Sequence, residues 1–117
     1  MSDDPDPRLP THLIVSAALG RCNTEAVPAY VVKRGEAMGG LVLLKLDLLD
    51  GSSRLLVQSR DLDGHVVWMP AGKGGTMAEA DARDYIARAT ARDPDLWVIE
   101  IEHRAGWHPF EGREMAG

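Results

Sequence analysis

Cysteine is almost missing from this chain: Cys22 is the only one among 117 residues. A single thiol cannot form an internal bridge. A small secreted scaffold stapled by disulfides is therefore excluded, and a reducing compartment is expected. A basic start followed by an apolar run is also missing. Residues 1–10 carry Asp3, Asp4, Pro5, Asp6, Pro7 and Pro10 instead, so no secretory signal is read there. No stretch approaches the roughly 18 consecutive apolar residues of a membrane span. Basic charge is scarce as well: 13 Lys and Arg stand against 18 Asp and Glu, a formal charge of -5. The one local basic excess is Arg21, Lys33 and Arg34, offset by Glu25. Nucleic-acid surfaces need basic patches that neutralise phosphates, so no nucleic-acid partner is expected, and no membrane partner either. These absences together lead to a cytoplasmic protein.

What is present describes one folded domain. At 117 residues the length suits a single domain that buries about two-thirds of its unfolded surface. Hydrophobic residues make up 44%, which is globular and not disordered. Residues 1–10 read as an acidic, proline-rich leader, 11–104 as the domain, and 105–117 as an irregular tail. Thr11 is the expected N-cap of a helix over 12–23, apolar enough to be mostly buried. Five strand-like runs follow: 28–34, 41–48, 54–60, 66–69 and 96–102. Asp50-Gly51 and Asp63-Gly64 separate apolar runs and predict two hairpins. Thr76-Met77-Ala78-Glu79 matches a capping box, which starts a second helix at Thr76. Its apolar stripe is Ala78, Ala82, Tyr85, Ile86 and Ala89, and Asp84 faces Arg88 one turn away. Pro94 ends it by Arg92. The expected fold is α+β: an antiparallel-dominated sheet of about five strands, with two helices packed on one face.

Strand alternation sorts the side chains. Trp97, Ile99 and Ile101 go with Val42, Leu44 and Leu46 toward the helices. The other face is apolar at Leu41, Leu43, Leu96 and Val98, and charged at Lys45, Asp47, Glu100, Glu102 and Arg60. An exposed half-apolar sheet needs a cover, and a second subunit is the expected one, which makes a homodimer. The alternative is the tail folded back over it.

Several stretches form a recognisable set. They are Ala29 through Gly35, Leu44-Lys45-Leu46, Asp61-Leu62-Asp63-Gly64, Trp68, and Asp93 through Glu102, followed by Arg104, Gly106 and His108. As a set this resembles a small bacterial family of unknown function, DUF1491, over residues 8–110. The family pattern has a basic residue before His108, where this chain has Trp107. The resemblance implies a bacterial, cytoplasmic protein of this length and no assigned activity.

The chemistry-bearing candidates are few. The first is a surface cluster of Arg60, Asp61, Asp63, Glu100, Glu102 and Arg104. Glu100 and Glu102 lie on one strand face, about 6–7 Å apart, where paired carboxylates can hold Mg²⁺ or act as acid and base. The plain alternative has the aspartates shaping turns, and the glutamates pairing with Arg60, Arg104 or Lys45. The second candidate is a weak anion site at Lys73, Gly74, Gly75 and Thr76, ahead of a helix N-terminus. It lacks the residue order of a phosphate-binding loop. Asp61-Leu62-Asp63-Gly64 fails as a calcium loop, because its glycine comes at the fourth position. Glu102, His103 and His108 lack zinc-site spacing, so no metal and no cofactor is expected. Cys22, among apolar neighbours, reads as a buried inert thiol. Trp68 and Trp97 read as core. Trp107 either anchors the tail or faces a partner. A non-enzymatic interaction or regulatory domain, with an unidentified protein partner or a second copy, is the leading reading. A small enzyme or a nucleotide- or Mg-binding domain using Glu100, Glu102 and an arginine is the alternative.

Overall fold

The computed structural model describes residues 9–72 and 75–115. Helix α1 spans Thr11–Thr24 and is followed by β1 (Ala29–Lys33), β2 (Val42–Asp47), β3 (Ser52–Arg60) and β4 (Val66–Pro70). A short β5 (Met77–Ala78) leads into α2 (Glu79–Arg92), then β6 (Trp97–Glu102) and a two-residue β7 (Arg113–Glu114). The sheet runs β1-β6-β2-β3-β4-β7, with β5 paired on β3. Pairing is antiparallel except for β2 with β6 and β4 with β7. The fold is therefore α+β, and both Asp-Gly hairpins form as expected, at Gly51 and Gly64 with φ of 87° and 84°.

One part of the expected architecture is corrected: the helices lie on opposite faces. Val15, Ala18 and Cys22 of α1 pack with Val42, Leu44, Leu46, Leu56, Trp97, Ile99 and Ile101. Ala82 and Ala89 of α2 pack with Leu43, Leu55, Leu96 and Val98. The central strands β2 and β6 are thus buried on both sides. That is why they read as near-continuous apolar runs, as parallel pairs covered on both faces do. The half-apolar face read from the sequence exists, and α2 covers most of it. Leu43, Leu96 and Val98 are nearly inaccessible, while Leu41 at its margin stays 43% exposed.

Each helix packs on one face of the sheet, and this limits the buried part of α1 to one stripe. Thr11, Val15, Ala18 and Cys22 form its buried stripe, while Leu13, Ser16, Ala17 and Gly20 face outward. Thr11 is not its cap. Pro10 holds that position, and the Thr11 hydroxyl donates to the Gly40 carbonyl at 2.8 Å. The first helix amides are met by the β1–β2 loop, Thr11 N–H by Met38 O and His12 N–H by Ala37 O. The same loop crosses β6 so closely that a Cβ on Gly35 or Gly40 would fall within 2.1 or 2.3 Å of Asp95 O. Lys33 fastens the crossing, donating from Nζ to the carbonyls of Pro94 (2.6 Å) and Leu96 (3.0 Å).

Residues 105–115 of the tail are more regular than expected. Phe110 is buried beside Trp68, and Trp107 packs against the same core. Trp68 Nε1 donates to Glu111 O at 3.0 Å, and Arg113–Glu114 pairs in parallel with β4. Trp107 therefore anchors the tail, and Trp68 and Trp97 are core, each 1% exposed.

Candidate functional site

The junction between the apolar and charged halves of the α2-side face is organised by Lys45. It lies on β2, level with Glu100 on β6 and Leu55 on β3. Alternation points it to the α2 side, where Leu43 precedes it in the same row. Its ammonium sits 2.7 Å from Glu79 Oε1 and 3.1 Å from Glu100 Oε1. The lysine side chain is 6% exposed, while Glu79 and Glu100 are 38% and 22% exposed. Ser53, fully buried on β3, donates its hydroxyl to Glu79 Oε2 at 3.5 Å. Burial alone would pull the lysine toward neutrality; the two carboxylates outweigh it, and the ammonium is held above the ordinary lysine range.

This use of Glu79 explains why the expected capping box does not form. Its carboxylate is spent on Lys45 and cannot return to a cap amide. The helix starts at Glu79 with Ala78 as N-cap and no side-chain cap bond. Residues 77–78 pair instead with Ser52 and Ser53. Thr76 is consequently three residues ahead of the helix, outside its first turn. Of the weak anion site, Gly75 and Thr76 form a surface loop, and Lys73 and Gly74 lie outside the described residues.

The sequence-read surface cluster falls into separate places. Glu100 is level with Leu55, and Glu102 is level with Asp47 and hence with Ser53. Arg60 is five residues beyond Leu55 on β3, about 17 Å along the sheet and on the opposite side of its centre from Glu102. Glu100 and Glu102 do share a face, with Tyr30 of β1 opposite Glu100. A hydrogen bond to Glu102, reinforced by its charge, holds the Tyr30 phenol above its ordinary pKa. Arg104 is exposed in the turn after β6. Arg60 donates to Gly64 O at 2.7 Å, within its own hairpin.

Asp61 does turn chemistry. Its Oδ1 accepts from His65 N–H and Asp63 N–H, both at 2.9 Å. Those bonds, led by His65 N–H, hold the carboxyl below the usual range. Asp61, Asp63 and His65 bring one potential ligand atom each within 4.8 Å, but Asp63 and His65 are exposed and Asp61 Oδ1 is already engaged by the hairpin. His103 and His108 have structural uses. His103 Nδ1 accepts from Ala105 N–H (3.1 Å) and Trp107 N–H (3.4 Å), closing the turn after β6. His108 Nδ1 accepts from Phe110 N–H, and its ring meets Trp68 edge-on at 5.8 Å. Cys22 is buried, and desolvation pushes its thiol up, away from the reactive thiolate.

Sequence reasoning missed Glu79 as the second partner of Lys45. A signal was present: an isolated lysine inside the apolar run Leu41–Leu48 demands a counter-charge once that strand is central. Among the described residues no buried side-chain nitrogen or oxygen lacks a hydrogen-bond partner, so no orphan polar group points to an absent ligand. No helix of the described residues is long and apolar enough to cross a membrane.

Comparison with known proteins bears on the fold and the family. The family described as "Protein of unknown function (DUF1491)" matches residues 9–111. A crystal structure of a DUF1491 family protein from Caulobacter crescentus superposes with a TM-score of 0.81 at 34% identity, over 92% of this chain and 99% of that one. An NMR structure of a DUF1491 family protein from the same organism gives 0.79 at 34% identity, over 92% and 97%. A solution structure of a protein from A. tumefaciens gives 0.66 at 26% identity, over 81% and 86%. No curated protein matches. With its fold, its length and nearly all of its described residues accounted for by these likenesses, the chain belongs to the DUF1491 family.

Proposed function

We propose that this chain is a cytoplasmic, non-enzymatic interaction domain that associates with a second copy of itself along the outer strip of the sheet at β1. The observation that carries the reading is the closure of Lys45 between Glu79 and Glu100. A general acid, a general base or a Mg²⁺ ligand needs a carboxylate free to exchange a proton or accept a metal. Glu100 is instead committed to a buried ammonium ion that stays charged near neutrality. Among the described residues, the cation paired with Glu100 is Lys45.

The side of the sheet under α2 supports where such contact is made. α2 covers β2, β3 and β6, and β1 at the margin carries Tyr30 and Val32 at 50% and 54% exposure. Val31 pairs with Ile99 and Lys33 with Val98, so Val32 is the extra residue of a β-bulge. A bulged, five-residue edge resists extension by another strand, which favours side-chain contact over sheet continuation. Two strips related by a two-fold axis bring Tyr30 of each copy against Val32 of the other, the isologous arrangement of most homodimers.

Sedimentation velocity across a concentration series tests the reading. The expected result is a concentration-dependent dimer that Tyr30→Lys abolishes while the variant remains folded by circular dichroism. A species that stays strictly monomeric at about 1 mM, where even a contact worth roughly 4 kcal/mol would populate the dimer, overturns self-association.

A further inference from the structure

We propose that a groove between the C-terminal end of α1 and the turn after β6 binds the zwitterionic head of a free α-amino acid. The groove has a volume of about 260 Å³ and is lined by Arg21, Glu25, Val27, His103 and Trp107. It is on the α1 side of the molecule and stands independently of the Lys45 cluster and of the β1 strip.

The walls are rigidly made. Glu25 caps α1, and Ala26 turns left-handed with φ of 57°. Val27 N–H then returns to Cys22 O at 2.9 Å, and Ala26 N–H to Asn23 O at 3.1 Å. These are the two bonds of a Schellman motif, so the helix carbonyls on this side are already met and Val27 is fixed inward. Opposite, Gly106 N–H donates to His103 O at 2.9 Å, and His103 Nδ1 accepts two backbone amides. A neutral imidazole whose Nδ1 is an acceptor carries its proton on Nε2, so this ring offers one N–H donor. The Trp107 ring lies 5.9 Å from it.

The charge pattern selects the ligand class. Arg21 and Glu25 are one helical turn apart, in the order arginine before glutamate, the weaker orientation for a helical ion pair. They form no ion pair with each other or with any other described residue. A simple anion drawn to Arg21 meets repulsion from Glu25, and a simple cation meets the reverse. A ligand carrying a carboxylate and an ammonium a few bonds apart satisfies both. His103 Nε2–H adds a neutral donor for the carboxylate, and Val27 and the Trp107 ring, both packed against the α1-side core, complete the lining. The volume falls just below the ~300–1,000 Å³ of drug-sized sites, which suits one small molecule.

The test is an amide-resolved NMR titration of the full chain with L-leucine and L-phenylalanine, alongside N-acetyl-L-leucine and L-leucinamide. The expected result is saturable shifts at Arg21, Glu25, Val27 and the Trp107 indole. The derivatives, each lacking one charge, should bind about tenfold more weakly or worse, as should leucine to Arg21→Gln and Glu25→Gln. Both substitutions are at exposed positions and leave the spectrum of the fold in place. Absence of saturable shifts up to about 10 mM amino acid, or equal binding of leucine and its two derivatives, overturns the proposal.

Discussion

Lys45 and Glu100 stand side by side on the parallel strands β2 and β6, with Nζ 3.1 Å from Oε1 in the middle of a sheet covered by a helix on each face. The pair joins the central strands, and Glu79 at 2.7 Å ties the start of α2 to the same point. A charge in that position is tolerated only while its partners remain, because an uncompensated buried ion is costly.

Removing both partners should therefore be worse than removing the lysine. Glu79→Gln combined with Glu100→Gln leaves a nearly inaccessible ammonium ion and is expected to cost about 3–5 kcal/mol in urea unfolding. Lys45→Met leaves two carboxylates that are 38% and 22% exposed and partly served by water, so it should cost clearly less. The pH dependence has a definite sign. The folded-state pKa of Lys45 is raised, so its contribution is fully present below the ordinary lysine value of 10.5 and fades as the pH rises above it. Lys45→Met should flatten the alkaline fall in stability relative to the unmodified chain.

Much of this arrangement is legible from residue order, and the reason for the rest is physical. Hairpin positions follow from Asp50-Gly51 and Asp63-Gly64, and the end of α2 from Pro94, because turn and breaker chemistry is local. The faces of β2 and β6 follow from alternation. Which helix covers which face is not local: it depends on the parallel pairing of two strands 55 residues apart, Lys45 and Glu100 among them. The uninterrupted run Leu41–Leu44 was the available clue, since a strand exposed on one face alternates and a strand buried on both does not. The capping box at Thr76 misled for a related reason: its glutamate has a stronger use in the tertiary structure. Alternation puts Glu100 and Glu102 on one face of β6, but sequence distance does not tell that Arg60 and Asp61 belong to the far end of the neighbouring hairpin.

Ala26 is the natural place to gain stability. It occupies the left-handed position that ends α1, where glycine is the usual residue. Ala26→Gly should raise stability by roughly 0.5–1 kcal/mol, because the left-handed cost of a Cβ exceeds the added chain entropy of glycine. Thermal melts of the two proteins, run in parallel, check it. A lower melting temperature for the glycine variant would contradict the assignment of strain there.

His108 should make the tail sensitive to mild acid. Burial lowers its folded-state pKa below the ordinary 6.5, against Trp68 and with Nδ1 already accepting from Phe110 N–H. Its contribution is thus present above pH 6.5 and lost as the pH falls through the lowered value. Hydrogen exchange of the residue 107–115 amides should quicken over that window while the β2 and β6 amides stay protected. His108→Gln should remove the pH dependence.

The most direct test of the structural role given to Glu100 is the melting temperature of the unmodified chain and of Glu100→Gln, each with and without Mg²⁺ and nucleotides. The account predicts that neither metal nor nucleotide moves the melting temperature of either protein, and that Glu100→Gln lowers it by the same amount in every condition. A rise on adding Mg²⁺ or a nucleotide that disappears in Glu100→Gln would contradict it, and would make this carboxylate part of a working site.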